Sequence, residues 1–268
     1  LTRFYVDGKF YYYPVRIWNV LSQIGLVSCF RIAFENFYEK IRSVIYPRKL
    51  HNFEDYVVSN FGRTLAEFNM INYTEKIWGI PCNEISIDWA IQRISGLSIR
   101  ATICKALFKT KGPKTLVDTF YYPSRGCGLI YDAIQKRIEE RGSSVLTNTQ
   151  PTKISWEGKR VTSVDIQTAD GTKSFSPKAT ITSIPVTSCL ELFDPAPPEE
   201  VMNAATKLRF RSQVYLFLTV DKERVTEDNW VYFPDKHIPI GRITEMKNFS
   251  TQMAPEGKTS LFIEFFCF

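Results

Sequence analysis

The 268-residue chain has only two histidines, His51 and His237, and none of its six cysteines (Cys29, Cys82, Cys104, Cys127, Cys189, Cys267) falls in a Cys-x-x-Cys spacing. The usual ligand sets for zinc and haem are therefore missing, and no metal is expected. Long apolar runs are missing too. The most apolar stretch, residues 20–44, is broken by Gln23, Arg31, Glu35 and Glu39 and falls short of the ~18 apolar residues of a membrane span. Nor is there a basic stripe. The 34 basic and 28 acidic residues leave +6 spread along the chain, and Arg42, Arg48 and Lys49 form too small a cluster for nucleic-acid binding, so no nucleic-acid partner is expected. Scattered thiols without a recognisable secretory leader give the expectation of a cytoplasmic protein.

What is present is an apolar and aromatic chain, 44% hydrophobic and 14% aromatic, enough for a sizeable core. Its pattern turns on Tyr121-Tyr122-Pro123-Ser124-Arg125-Gly126-Cys127-Gly128-Leu129, an aromatic run that meets two glycines and then becomes helical over 129–141. Such a turn leaves backbone amides at a helix N-terminus, where they can face an anion or an electron-rich ring. It can equally be a tight turn that lets a strand and a helix pack.

In chain order, residues 17–44 carry helical spacing interrupted near Gly25, and Pro47 stops them. Asn52 is a candidate N-cap for a helix over 53–69 with the stripe Phe53, Val57, Phe61, Leu65 and Phe68. Ser86 starts a further helix to about Phe108, and a Gly/Pro loop follows at 109–114. Beyond the glycine turn and its helix, Gly142 reads as a C-cap and the period becomes two. Strands are expected at 144–146, 152–156, 160–168, 173–175 and 179–184, and a helix at about 199–207 after Pro195-Ala196-Pro197-Pro198. Strands at 213–221, 230–234, 240–245 and 259–268 suit an antiparallel sheet. Asp7-Gly8 turns between two N-terminal strand-like runs. The chain opens without an initiator methionine and stops within the β-rich run ending Phe265-Phe266-Cys267-Phe268, so a fragment is expected, with an apolar strand edge exposed at that end.

The order Phe53-Glu54-Asp55-Tyr56-Val57-Val58, Phe61-Gly62, Tyr73-Thr74-Glu75-Lys76-Ile77-Trp78-Gly79-Ile80-Pro81, Tyr122-Pro123 to Gly126-x-Gly128, and Ser183-Ile184-Pro185 resembles the flavin-dependent amine oxidase and protoporphyrinogen oxidase superfamily. It is similar also to UDP-galactopyranose mutase, whose sequences carry a Tyr-Thr-x-Lys-x-Trp-Gly element. The block from Tyr73 is the most specific part. Such proteins begin with a Gly-x-Gly-x-x-Gly βαβ unit that binds dinucleotide, which this sequence does not contain. The resemblance implies an α+β flavoprotein fragment: a mostly helical substrate-binding region over 1–120, part of the FAD-binding domain over 121–190, and a substrate-domain antiparallel sheet over 191–268.

FAD is the implied cofactor and a small organic molecule the implied substrate. On this reading Lys76, Trp78 and Arg125 serve the reacting end, while Tyr122, Gly126, Gly128, Ser183, Ile184 and Pro185 serve the cofactor. Tyr232 and Arg242 are substrate-binding candidates. In such proteins an apolar residue three before the isoleucine of one strand reads the adenine edge through its backbone; here that residue is Pro151, which has no N–H, so the contact shifts to Thr152. Ordinary structural roles stay open for each: a core aromatic for Trp78, a solvated helix-end lysine for Lys76, a surface turn for Arg125. The implied activity is hydride transfer from substrate to FAD, with the isolated chain inactive for want of the βαβ unit. A redox-neutral mutase-like flavin isomerase is the alternative. A third reading rests on the aromatic and basic run 37–46, an interaction or membrane-docking surface on a protein without turnover; a helix packed on its own domain is the stronger expectation there.

Overall fold

The computed structural model describes residues 1–13, 17–94 and 119–268, without the side chains of residues 17, 18, 20 and 21. Most of the helix expected over 86–108, and the loop at 109–114, lie outside these residues. The chain forms two compact units, Leu1–Leu129 with Arg211–Phe268, and Ile130–Phe210. In chain order the described strands are β1 (Thr2–Val6), β2 (Lys9–Tyr12), β3 (Gln150–Glu157), β4 (Arg160–Thr168), β5 (Gly171–Phe175), β6 (Phe193–Asp194), β7 (Ser212–Val220), β8 (Trp230–Tyr232), β9 (Ile240–Glu245) and β10 (Thr259–Cys267).

In the first unit a six-stranded sheet runs β2-β1-β8-β9-β10-β7. The four C-terminal strands are antiparallel neighbours as expected, and the N-terminal hairpin joins them through a parallel pairing of β1 with β8. That junction is fastened by Arg3, whose Nε donates to both carboxylate oxygens of the fully buried Asp228 at 3.0 Å. One expectation needs correction here. The strand ending in Phe265-Phe266-Cys267 is not an edge: β10 is paired with β9 on one side and β7 on the other, and the exposed edge with Val214 and Phe217 belongs to β7.

The helical part of this unit contains α1 (Ile17–Ile24) and α2 (Leu26–Ile45), hinged at Gly25 as its positive φ of 85° allows. Then comes α3 (Phe53–Phe61), capped by Asn52, whose side chain accepts from the Asp55 amide at 2.8 Å. The helix expected to continue to residue 69 instead breaks at Gly62. It resumes as α4 (Arg63–Leu65), a π-helical stretch Ala66–Ile71 and α5 (Asn72–Trp78). The apolar stripe breaks with it. Phe53, Val57 and Phe61 bury in a helical core with Cys82, Ile85, Ala90 and Ile94, the last two on α6 (Ile87–Ile94), whereas Phe68 packs on Phe4 and Tyr11 of the sheet. The wider π turn rotates less per residue than an α-helix, so the side chains fall behind the α-helical register, and this carries Phe68 from one core to the other.

The second unit opens within α7 (Gly128–Glu140), which ends in a cap at Gly142 (φ 79°) with the Ser143 amide donating to Ile138 O at 3.2 Å. Its sheet has the order β5-β4-β3-β6, and α8 (Val186–Glu191) and α9 (Glu199–Ala205) follow the prolines Pro185 and Pro198. Neither residues 144–146 nor 179–184 form a strand. Both stretches have β-like composition, but no described strand lies beside them to supply backbone partners, and strand formation needs one.

Gly62 has φ 82° and ψ 160°, a region open essentially to glycine alone, and a Cβ there would lie 2.9 Å from Glu35 Cβ. Gly62→Ala is expected to lower stability by about 1–3 kcal/mol in chemical denaturation. Gly128→Ala, whose Cβ would meet nothing within 4 Å, is expected to leave it nearly unchanged.

Candidate functional site

Residues paired across neighbouring strands share one face of a sheet, so the register locates the site. Tyr11 lies beside Phe4, Phe4 beside Tyr232, Tyr232 beside Arg242, Arg242 beside Glu264, and Glu264 beside Tyr215. A second row on the same face runs through Trp230, Thr244, Phe262 and Phe217. The helical layer covers the β1–β8 end, with Phe68 against Phe4 and Tyr11, and Tyr73 edge-on to Tyr232 at 5.3 Å. Towards β7 the face is more open, with Tyr215 and Phe217 exposed.

The charged centre of this face is the Arg242–Glu264 pair. Both Nε and Nη2 of Arg242 donate to the same Glu264 oxygen, and the carboxylate side chain is 5% accessible against 34% for the guanidinium. The carboxylate is thus sealed beneath the arginine, while Arg242 Nη1 makes no hydrogen bond to a described residue. Hydrogen bonding to Glu264 holds the guanidinium protonated against the cost of burial. The phenol of Tyr73 is pushed far above its ordinary pKa, chiefly by burial and further by Tyr232, with Arg242 opposing; it stays a neutral hydroxyl. The indole N–H of Trp230 is buried without a partner among the described residues. A guanidinium, the neutral phenol of Tyr73 and an indole N–H without a partner among the described residues form a set of donors with aromatic walls. That set suits a substrate with anionic or hydroxyl groups.

The two stretches singled out in the sequence meet this face through rings. Tyr122 packs on Phe249 at 4.6 Å, Phe249 stacks on Trp230 at 5.6 Å and 17°, Trp230 lies 6.4 Å from Tyr232, and Tyr232 meets Tyr73. The block from Tyr73 therefore reaches the site by its first residue. Lys76 and Trp78 are placed otherwise. Lys76 Nζ donates to four carbonyls of the turn joining β8 to β9, those of Phe233, Asp235 (2.7 Å), Ile238 (2.8 Å) and Ile240 (3.2 Å), and burial pushes its pKa down to about 8. Trp78 is edge-on to Trp89 at 5.2 Å, over which Arg93 lies at 4.5 Å. Arg125 is exposed and makes no contact with the sheet row among the described residues.

Gly126 holds its turn at φ 93°, with its amide on Pro123 O at 3.0 Å, and a Cβ there would lie 3.4 Å from Met253. Gly128 opens α7 and faces free space. In the second unit, Thr152 occupies a bulge where the β3–β4 register slips between Pro151 and Lys153, and its hydroxyl donates to Asp165 O at 3.3 Å. A bulge frees and re-aims the backbone of one residue, which a strand carrying proline needs if it is to present an amide. Ser183, Ile184 and Pro185 are exposed, Pro185 at the N-terminus of α8. Tyr232 and Arg242, named as candidates from the sequence, share this face with Tyr73, Trp230 and Glu264, which were not named; the available signal was the alternation Trp230-x-Tyr232, which puts both rings on one face.

The family model for flavin containing amine oxidoreductases matches residues 84–264. The chain belongs to this family, whose members carry flavin. Among solved structures it is similar to a reduced UDP-galactopyranose mutase, with TM-score 0.77 and 22% identity over all of this chain and 57% of that one. It is also similar to a structure from Exiguobacterium sp. 255-15 named for protoporphyrinogen oxidase (0.53, 13%, 87% of this chain and 50% of that one) and to a redesigned putrescine oxidase (0.53, 9%, 98% and 57%). These likenesses concern the fold. The chain spans little more than half the length of these structures.

Lys76 is expected to act as a staple for the 233–240 turn. Lys76→Met keeps the stem and removes the donors, and should cost about 2–3 kcal/mol in denaturation while lowering protection of the β8–β9 turn in amide exchange. Unchanged stability would show that the ammonium serves something else.

Proposed function

We propose that the polypeptide carrying this chain is an FAD-dependent oxidoreductase that takes hydride from a small organic substrate, and that the Tyr73–Tyr232–Arg242 face of the sheet binds that substrate. The observation that carries the binding face is the partly exposed guanidinium of Arg242, held over the sealed Glu264 and flanked by the neutral phenol of Tyr73 and the ring of Tyr232. The redox part rests on family membership. Bound flavin would supply the hydride acceptor. Tyr122, Gly126 and Gly128 in the first unit, and Thr152, Ser183, Ile184 and Pro185 in the second, are the groups proposed to hold it. The chain's own contribution at the reacting end is orientation by Arg242 and the tyrosines, with Lys76 and Trp78 supporting them from α5 and Arg125 at the glycine turn.

A second reading is favoured by the same arginine. A guanidinium whose Nη1 has no hydrogen-bond partner among the described residues, beside tyrosine hydroxyls, matches a diphosphate better than an amine cation, which the positive charge repels. This supports a redox-neutral isomerase of the UDP-galactopyranose mutase type, whose solved structure shares the fold.

Anaerobic addition of substrate separates the two. Persistent bleaching of the flavin absorbance is expected for the oxidoreductase, whereas turnover that needs prior reduction and leaves the flavin state unchanged identifies the isomerase. In either case Arg242→Lys, which keeps the charge and loses the fork, should raise KM by about tenfold or more with a smaller change in kcat. Wild-type KM in that variant would remove Arg242 from the site.

A further inference from the structure

The 20-residue helix α2 buries none of its side chains completely. Its inner side rests on the α3–α4 region, where Asn36 Nδ2 donates to Asn60 O at 2.7 Å and Glu35 accepts from the amide and hydroxyl of Thr64 at 2.7 and 2.8 Å. Its outer side is apolar. Val27, Phe30, Phe34, Phe37, Ile41 and Val44 recur every three or four residues, fall within an arc of about 100°, and are 42% to 84% exposed. Three phenylalanines at 64% to 74% exposure are the centre of the stripe. Its area is roughly 800 Å², against roughly 300–600 Å² for the largest patch on an ordinary monomer. Along this side the helix is exposed among the described residues.

The charges around the stripe say what fits it. Arg31 and Arg42 flank it on one side and Lys40 on the other, and Arg48 and Lys49 follow the helix. The two acidic residues, Glu35 and Glu39, lie further round the helix and under the arginines, paired to Arg31 at 2.9 Å and to Arg42 at 3.5 Å. Basic groups on both flanks would meet like charges across a symmetric pairing with a second copy. An anionic bilayer neutralises them instead. The helix cannot cross a bilayer, because five charged residues interrupt it, and no described helix is long and apolar enough to do so. An apolar arc bounded by arginine and lysine is the pattern of a helix lying in the headgroup plane.

We propose that α2 docks this protein on an anionic lipid surface, with the Phe30–Phe34–Phe37 stripe immersed and Arg31, Lys40 and Arg42 at the lipid phosphates. The assignment is independent of the flavin chemistry. The test is co-sedimentation of the whole polypeptide with vesicles of phosphatidylcholine alone and of phosphatidylcholine mixed with phosphatidylglycerol, with light scattering in the absence of lipid. The expected result is binding to the mixed vesicles that weakens at high salt, falls by more than about tenfold in Phe34→Glu and falls less steeply in Lys40→Glu. Phe34 is outward-facing, so circular dichroism of the variant should match the wild type. Three results overturn the proposal: no binding of the wild type to either vesicle, wild-type binding by Phe34→Glu, or a dimer in lipid-free solution that Phe34→Glu dissociates, which would make a second copy the occupant.

Discussion

The candidate face of the first unit depends on the ion pair of Arg242 with the buried Glu264. Glu264 is in the interior of a six-stranded sheet with its side chain 5% accessible, and a carboxylate there is tolerable only because Arg242, directly opposite on β9, answers it. Breaking such a pair costs about 3–5 kcal/mol because it strands a charge, whereas an exposed pair such as Lys136–Glu140 contributes about 0–1 kcal/mol. The pair also fixes what lies around it. It keeps the guanidinium beside Tyr232 at 5.9 Å and Trp230 at 6.0 Å, and so sets the donor array of the candidate site.

The helical layer is tied to this sheet by two cations that work on backbone. Lys76 gathers the carbonyls of the β8–β9 turn, and Arg211 donates to Ile77 O at 3.0 Å and Lys76 O at 3.2 Å at the C-terminus of α5. The helix end is thereby satisfied by a basic side chain, as its partial negative charge favours. Gly79 is forced by the same junction: it is left-handed at φ 67°, and a Cβ would lie 2.6 Å from the Phe268 ring. The segment that gives the sequence its family resemblance is therefore also the hinge pin between helices and sheet, with Tyr73 at one end facing the site.

What was legible in the sequence was local. Asn52 with Asp55, Gly142 after the α7 pattern, and the Asp7-Gly8 and Asp170-Gly171 turns each encode their geometry within a few residues, and each formed as read. What was not legible depended on partners far along the chain. The parallel β1–β8 pairing joins residues more than 220 apart, and nothing in Thr2–Val6 announces it. Lys76 reads as a helix-end lysine until the turn around Asp235 folds over it. The stripe through Phe68 was sound as periodicity but failed as burial, because Gly62 and the π-helical stretch change the register. Residues 179–184 have strand composition and no strand partner among the described residues. Tyr232 and Arg242 were identifiable as candidates, but their meaning comes from Glu264, twenty-two residues beyond Arg242 and adjacent to it only in the sheet.

The central claim is that the Tyr73–Tyr232–Arg242 face receives the substrate. The most direct measurement is a crystal structure of the flavin-loaded polypeptide with a bound anionic substrate or product. The account predicts an anionic oxygen on Arg242 Nη1, with the phenols of Tyr73 and Tyr232 lining the same ligand. A ligand bound elsewhere, with this face covered by protein and Arg242 in contact with Glu264 alone, would contradict it.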